Sequence, residues 1–204
     1  MKSKPALAFI AVFFLAFFLI SCGGGKPYRL MAQAARSPER PAVFVHDKRS
    51  TLNLRKALVL AVPDSTLSVS PYVSGGHAFL VGWVKDDSQR AALEEAARGV
   101  PGLLSLEAYL PVKPTGEEAP SSSSELELKA KVIAAVVAAS GTEKINIAVD
   151  VLGTHAILVG AVRSSSDIQE AETAARNTSE ISGVTNFLRV PQASNAKRFG
   201  GFLP

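Results

Sequence analysis

Cysteine, histidine, paired acids and runs of glycine or serine are the residues of this 204-residue chain that could do chemistry. Cys22 is the only thiol, and a thiolate is a nucleophile open to alkylation. His46, His77 and His155 could ligate a metal or titrate near neutrality. No second cysteine or adjacent pair of acids completes a metal set around any of them. Asp86-Asp87 offers two carboxylates, and Ser121 to Ser124 offer hydroxyls without a partnered base. Gly23-Gly24-Gly25 lacks the strand before and the helix after that a phosphate loop needs. The inventory predicts no enzyme, no metal and no cofactor.

The surroundings of Cys22 say more. Lys2 and Lys4 precede fifteen unbroken apolar residues, Ala6 to Ile20. A positive start, a short apolar core and a small residue before the cleavage point make a secretory signal. The run is shorter than the ~20 residues of a membrane span. Leu19-Ile20-Ser21-Cys22 resembles the lipobox of bacterial lipoproteins. That resemblance implies removal of residues 1–21, recognition through Leu19, Ile20 and Ser21, and diacylglycerol and fatty-acyl (palmitate-type) modification at Cys22. Gly23, rather than aspartate, resembles the outer-membrane type, on the periplasmic side. In a cell with one membrane the anchor would sit on the outer face of the plasma membrane.

Removing residues 1–21 leaves 20 Lys+Arg against 18 Asp+Glu, a net +2. A nucleic-acid binder would be far more basic. The charge is unevenly placed, with +6 over residues 23–56 and −4 over 57–204. The basic segment adjoins the anchor, where each cation gains about 1 kcal/mol near anionic headgroups. A solvated, self-repelling linker is the equal alternative. Lys26, Arg29, Lys197, Arg198 and Phe199 are the candidate membrane contacts, cations placed beside the anchor or beside apolar tail residues.

An internal repeat decides the architecture. At an offset of 78 residues, Gly75-Gly76-His77-Ala78-Phe79-Leu80-Val81-Gly82-Trp83-Val84 aligns with Gly153-Thr154-His155-Ala156-Ile157-Leu158-Val159-Gly160-Ala161-Val162. Ala96-Ala97-Arg98 falls on Ala174-Ala175-Arg176, and Leu110 and Val112 fall on Leu188 and Val190. Each copy opens with a helix: Leu54, Ala57, Leu58 and Ala61 before Pro63, and Leu128, Val132, Ala135, Val136 and Ala139 before Gly141. Ser124 and Glu127 predict a capping box for the latter. An alternating strand, a tight turn and a second strand over 78–84 or 156–162 follow. Asp86-Asp87-Ser88 and Ser164-Ser165-Ser166 supply caps for the next helix. A closing strand lies near 104–112 or 184–190. Capping thus explains Asp86-Asp87, and duplication of one turn residue explains His77 and His155.

Leu80-Val81-Gly82-Trp83-Val84, Leu158-Val159-Gly160-Ala161-Val162 and the closing segments Gly102–Val112 and Glu180–Val190 resemble the BON domain of bacterial envelope proteins. Glu180 replaces a glycine of that pattern and Ala108 an asparagine. The resemblance implies an α+β chain of two tandem αββαβ modules, each a three-stranded sheet on two helices, after a lipoprotein signal peptide. The expected boundaries are 1–21 signal peptide, 22–48 lipidated basic linker, 49–112 first module, 113–123 linker, 124–191 second module and 192–204 tail. It further implies a non-catalytic protein that binds phospholipid surfaces and supports outer-membrane integrity.

Two readings rest on the strands alone. Gly82 and Gly160 are expected to let a helix lie close on the sheet. Phe79, Val81, Trp83, Ile157 and Val159 are expected on the face away from the helices, where an antiparallel sheet ordinarily shows polar residues. Such a face must pack on something: the other copy, a second chain, or a protein or membrane surface. The partners expected are therefore a membrane, with anionic phospholipid a candidate, and an envelope protein, but no nucleic acid. A scaffold docking other envelope proteins through these apolar faces is the alternative function.

Overall fold

The computed structural model describes residues 41–64, 68–116, 120–140 and 147–191. In the first module α1 (Pro41–Ala61) precedes the antiparallel pair β1 (Val69–Ser74) and β2 (His77–Gly82), then α2 (Asp87–Arg98) and β3 (Ser105–Tyr109). The second repeats this as α3 (Ser122–Ser140), β4 (Ile147–Leu152), β5 (His155–Ala161), α4 (Ser165–Arg176) and β6 (Gly183–Arg189). Each sheet is three-stranded, with the middle strand antiparallel to the first and parallel to the last. The chain is thus α+β, two αββαβ modules. The parallel pairing requires the crossover that α2 and α4 provide.

Period two explains the cores. Ala78, Leu80 and Val84 point to the helices and pack with Leu54, Leu58, Leu93, Ala97 and Val100. Ala156, Leu158 and Val162 do the same with Leu128, Val132, Val136, Ala171 and Ala175. The caps follow the sequence. Asp86 accepts from Gln89 N–H, and Ser164 and Asp167 form a reciprocal capping box. The turn hydrogen bonds repeat at the same offset: Leu104 N–H donates to Gly76 O, and Ser182 N–H to Thr154 O.

Three expectations are corrected. Residues 41–48 belong to α1, not to a linker, because Val43, Phe44 and Asp47 turn inward with Ser50 and Leu54 at helical spacing. The prolines and cations there read as linker composition, yet a proline is tolerated in a first helical turn. Secondly, α3 starts at Ser122, ahead of the expected boundary at 124. Ser121 is its cap, its Oγ accepting from Ser124 N–H and its carbonyl from Glu125 N–H. The expected Ser124–Glu127 box is therefore not the helix start. Thirdly, Gly82 does not make room for a helix. A Cβ there would lie 2.0 Å from the carbonyl oxygen of Ser68, just ahead of the neighbouring strand β1, at φ +155°. Gly160 shares the conformation, with φ 148°. The apolar sheet faces, expected to be covered, meet each other and are described below. Gly141 lies outside the described residues.

The two departures from the motif have visible consequences. Asn186 ties its strand to α4, its amide donating to Glu172 and its carbonyl oxygen accepting from Leu188 N–H. The Asn186 and Arg176 bonds hold the Glu172 carboxyl below its ordinary value. Ala108 cannot do this, and in that module Arg90 Nε donates to Leu110 O. Glu180 is the residue other than glycine with positive φ among the described residues, at 75°, where the first module has Gly102 at 85°.

Candidate functional site

Both modules lie in one compact unit, Arg36–Pro204. Their helix-free sheet faces meet. Phe79 and Val81 of the first module and Ile157 and Val159 of the second form one buried cluster, with Tyr72, Tyr109, Ala148, Leu152 and Phe187 around it. Phe79 packs on Phe187 with ring centroids 5.3 Å apart, and Tyr109 stacks on His155 at 4.7 Å. Burial of the four central side chains contributes about 1.5–3 kcal/mol each as an upper estimate. That outweighs the cross-module ion pair of Arg189 with Glu107, whose partners are both part-exposed.

Polar contacts frame this apolar centre. Tyr72 Oη donates to Asp150 Oδ2 at 2.5 Å, and Lys129 Nζ holds Asp150 Oδ1 at 2.7 Å. Half-buried Trp83 donates from Nε1 to Glu125 Oε1 at 2.9 Å, and that same oxygen accepts from Gly153 N–H at 2.7 Å. In the first module Asp47, which aligns with Glu125, accepts from the N–H groups of Gly75 and Gly76 at 2.7 and 2.9 Å. One acid per first helix thus holds the hairpin turn of its own module, and in the second it also engages the other module's tryptophan.

Of the expected partner face, Phe79, Val81, Ile157 and Val159 are fully buried and Trp83 is half-buried. These residues cover one another. A scaffold docking outside proteins through them is excluded by that occupancy, because the apolar faces are closed within the chain. Cys22 with Leu19, Ile20 and Ser21, and Lys26, Arg29, Lys197, Arg198 and Phe199, lie outside the described residues.

The histidines do not converge. His77 Nδ1 bonds Ser105 Oγ at 2.7 Å, and His155 Nε2 bonds Thr185 Oγ1 at 2.8 Å, each on the neighbouring parallel strand. Burial lowers the pKa of His46, His77 and His155, and Arg189 adds to the effect at His77 against an opposing Glu107. Among the described residues no three metal-ligating side chains cluster.

The outer helix faces are where sequence reading missed a feature. Val45, Leu52 and Leu60 on α1 are 54, 67 and 72% exposed. Lys48, Arg49, Arg55 and Lys56 are exposed beside them. Their helical spacing is the signal in the sequence, which the net charge of residues 23–56 conceals.

A family model for the BON domain matches residues 46–114 and again residues 124–192. The chain belongs to the BON domain family. That family is a non-catalytic one, and this chain is a dual-BON protein. The lower edge of the first match agrees with α1 being part of the first BON module rather than a spacer. No curated protein matches the chain. Two of the solved structures similar to the chain are these. One is CdsD, a structural protein of the Type III secretion system of Chlamydia trachomatis, at 16% identity and TM-score 0.30, covering 75% of this chain and 69% of that one. The other is the C-terminal domain of CdsD, at 16% identity and TM-score 0.29, covering 72% and 67%.

Proposed function

We propose that this dual-BON protein is a lipid-anchored envelope protein that binds phospholipid surfaces and supports outer-membrane integrity. The observation that carries the reading is the closed apolar interface between the BON modules, which leaves the helices, not the sheets, as the binding surface. A protein that has closed its apolar sheet faces has outward helices to offer, and helices suit the plane of a bilayer interface. The lipobox-like Leu19-Ile20-Ser21-Cys22 supports acylation at Cys22 after export. Two or more acyl chains make anchoring stable where one does not.

Mass spectrometry of the protein extracted from native membranes tests the anchor. The expected result is a mature chain beginning at Cys22 with diacylglycerol and N-acyl groups. A Cys22→Ser chain should leave the membrane fraction, and a strain lacking the protein should become detergent-sensitive. A bare sulfur at Cys22, or unchanged membrane association of Cys22→Ser, overturns the proposal.

A further inference from the structure

We infer that the outer face of α3 is a pairing surface for a second copy of this chain, the two α3 helices lying antiparallel in a two-fold dimer. The inference rests on the membrane-anchored reading above, because the anchor supplies the concentration that a short helix seam needs.

The composition of α3 is the first observation. From Leu128 to Ala139 every residue except Lys129 and Lys131 is apolar. A helix that is apolar all round is ordinarily buried all round. The inward side of α3 meets that rule, with Leu128, Val132 and Val136 in the core of the second module. The outward side does not. Leu126 and Ile133 are 68 and 41% exposed, Ala130 and Ala134 are exposed, and Val137 is half-buried. At 3.6 residues per turn these five side chains form one stripe about 100° wide, opposite the core residues.

Charge is the second observation. The cations of α3 are Lys129 and Lys131, and they border the stripe on its two sides. Asp150 holds Lys129 at 2.7 Å, and Glu127 and Glu180 hold Lys131 at 3.1 and 2.9 Å. The stripe therefore offers no unpaired cation to an anionic surface. An apolar strip with neutralised borders has the make-up of a protein–protein interface core, which is depleted of charge.

Spacing names the partner. Leu126, Ala130, Ile133 and Val137 are four, three and four residues apart, the a/d spacing of a coiled coil. Those steps read the same in either direction, so an antiparallel copy meets them in register. Leu126 then lies against Val137 of the second copy, and Ala130 against Ile133 of the second copy. Each small side chain faces a large one, which fills the layer. A parallel pair would set alanine on alanine at position 130 and leave a gap. Antiparallel helix dipoles also attract. The repeat shows why α1 has no such role. Lys48, Arg55 and Lys56 stand where α3 has Leu126, Ile133 and Ala134, so two α1 faces would repel each other.

Size explains the need for the anchor. The seam from Leu126 to Val137 is about 16 Å long. That is short for an interface of standard size. Acylation at Cys22 confines every copy to one surface and raises the effective concentration of each for the next.

The test uses the lipidated full chain in vesicles, where Cys22 is blocked by its lipid. One preparation carries Leu126→Cys and another Val137→Cys, and the two are reconstituted together and mildly oxidised. The mixture should give a disulfide-linked dimer. Leu126→Cys alone should give at least about tenfold less, because its two thiols would sit about 16 Å apart at opposite ends of the seam. Leu52→Cys in α1 should not link. Adding Ile133→Lys to both members of the mixture should lower the yield by about tenfold. Circular dichroism shows whether that variant is folded, and Ala130→Gln takes its place if it is not. Leu126→Cys linking to itself as well as to Val137→Cys overturns the inference, as does a yield unchanged by the disruptive variant. Floating protein without a dimer overturns it and leaves the anchor intact. So does a dye on Ile133→Cys that lipid-borne quenchers reach, or a link in native membranes to another protein instead of a second copy. A protein that does not float overturns the anchored reading first, and the inference with it.

Discussion

Tyr72 and Asp150 sit at the same position of the two repeats, and the tyrosine hydroxyl donates to the aspartate across the module interface at 2.5 Å. Contact between equivalent positions is what two like modules produce near a two-fold axis. The Phe79–Phe187 contact and the presence of Ile157 and Tyr109 in the same cluster follow the same exchange of positions. Burial, then the charge of Asp150, hold the Tyr72 hydroxyl well above the ordinary phenol range, so it remains a donor.

Replacing Tyr72 by Phe keeps the ring and removes that bond. Asp150 retains Lys129. The expected loss is therefore about 1.5 kcal/mol, at the low end for a hydrogen bond to a charged group. Urea unfolding followed by the fluorescence of Trp83, the single tryptophan, measures it. An unchanged midpoint would remove this bond from the account of the interface.

Glu180→Gly should stabilise the protein. The left-handed conformation at φ 75° costs a side-chain-bearing residue about 1–2 kcal/mol. Against this stand the extra unfolded-chain freedom of glycine, about 0.5–1 kcal/mol, and an exposed pair with Lys131 worth little. Lys131 also keeps Glu127. The net expectation is a gain of about 0.5 kcal/mol, read as a higher melting temperature; a lower one would show that the ion pair dominates.

Gly82→Ala should destabilise by about 3 kcal/mol, because the new methyl meets backbone rather than a movable side chain. Gly160→Val should act in the same direction at its own φ of 148°. Calorimetric melting checks both, and a melt within a degree or so of the parent would contradict the close approach.

Acid should loosen the fold through its histidines. For His46, His77 and His155 burial holds the folded pKa below the ordinary imidazole value of 6.5. Between the two values the unfolded chain binds more protons, so stability rises with pH. The contribution is complete above 6.5 and fades as pH falls through and below it. His155 loses most locally, as protonation places a charge between Tyr109 and the Thr185 hydroxyl. His155→Gln should flatten the fall in melting temperature between neutral pH and pH below 6.5. An identical slope in both proteins would exclude His155 as a source.

Periodicity and the repeat made much of the fold legible. Leu80 and Leu158 had to face helices and Phe79 and Ile157 the other way, because a strand alternates faces without regard to its surroundings. The caps at Asp86 and Ser164 were equally readable, since a helix start is a local event. The start of α1 was not, because Pro41, Lys48 and Arg49 have loop-like composition and only the burial of Val43 and Phe44 overrides it. The role of Gly82 was misread for a related reason: alternation says which face a residue takes but not which backbone approaches it.

Sequence alone determined two αββαβ modules and their inward and outward faces. These are properties of residue order, and the 78-residue offset repeats them. Tertiary structure decided what covers the apolar faces. The same strip of Phe79, Val81, Ile157 and Val159 could have met a second chain, a partner or a membrane. Hydrophobic burial is non-directional, so it demands a cover without naming one. The choice falls to long-range polar geometry, Tyr72 to Asp150 and Trp83 to Glu125, which exists only once the two modules are face to face.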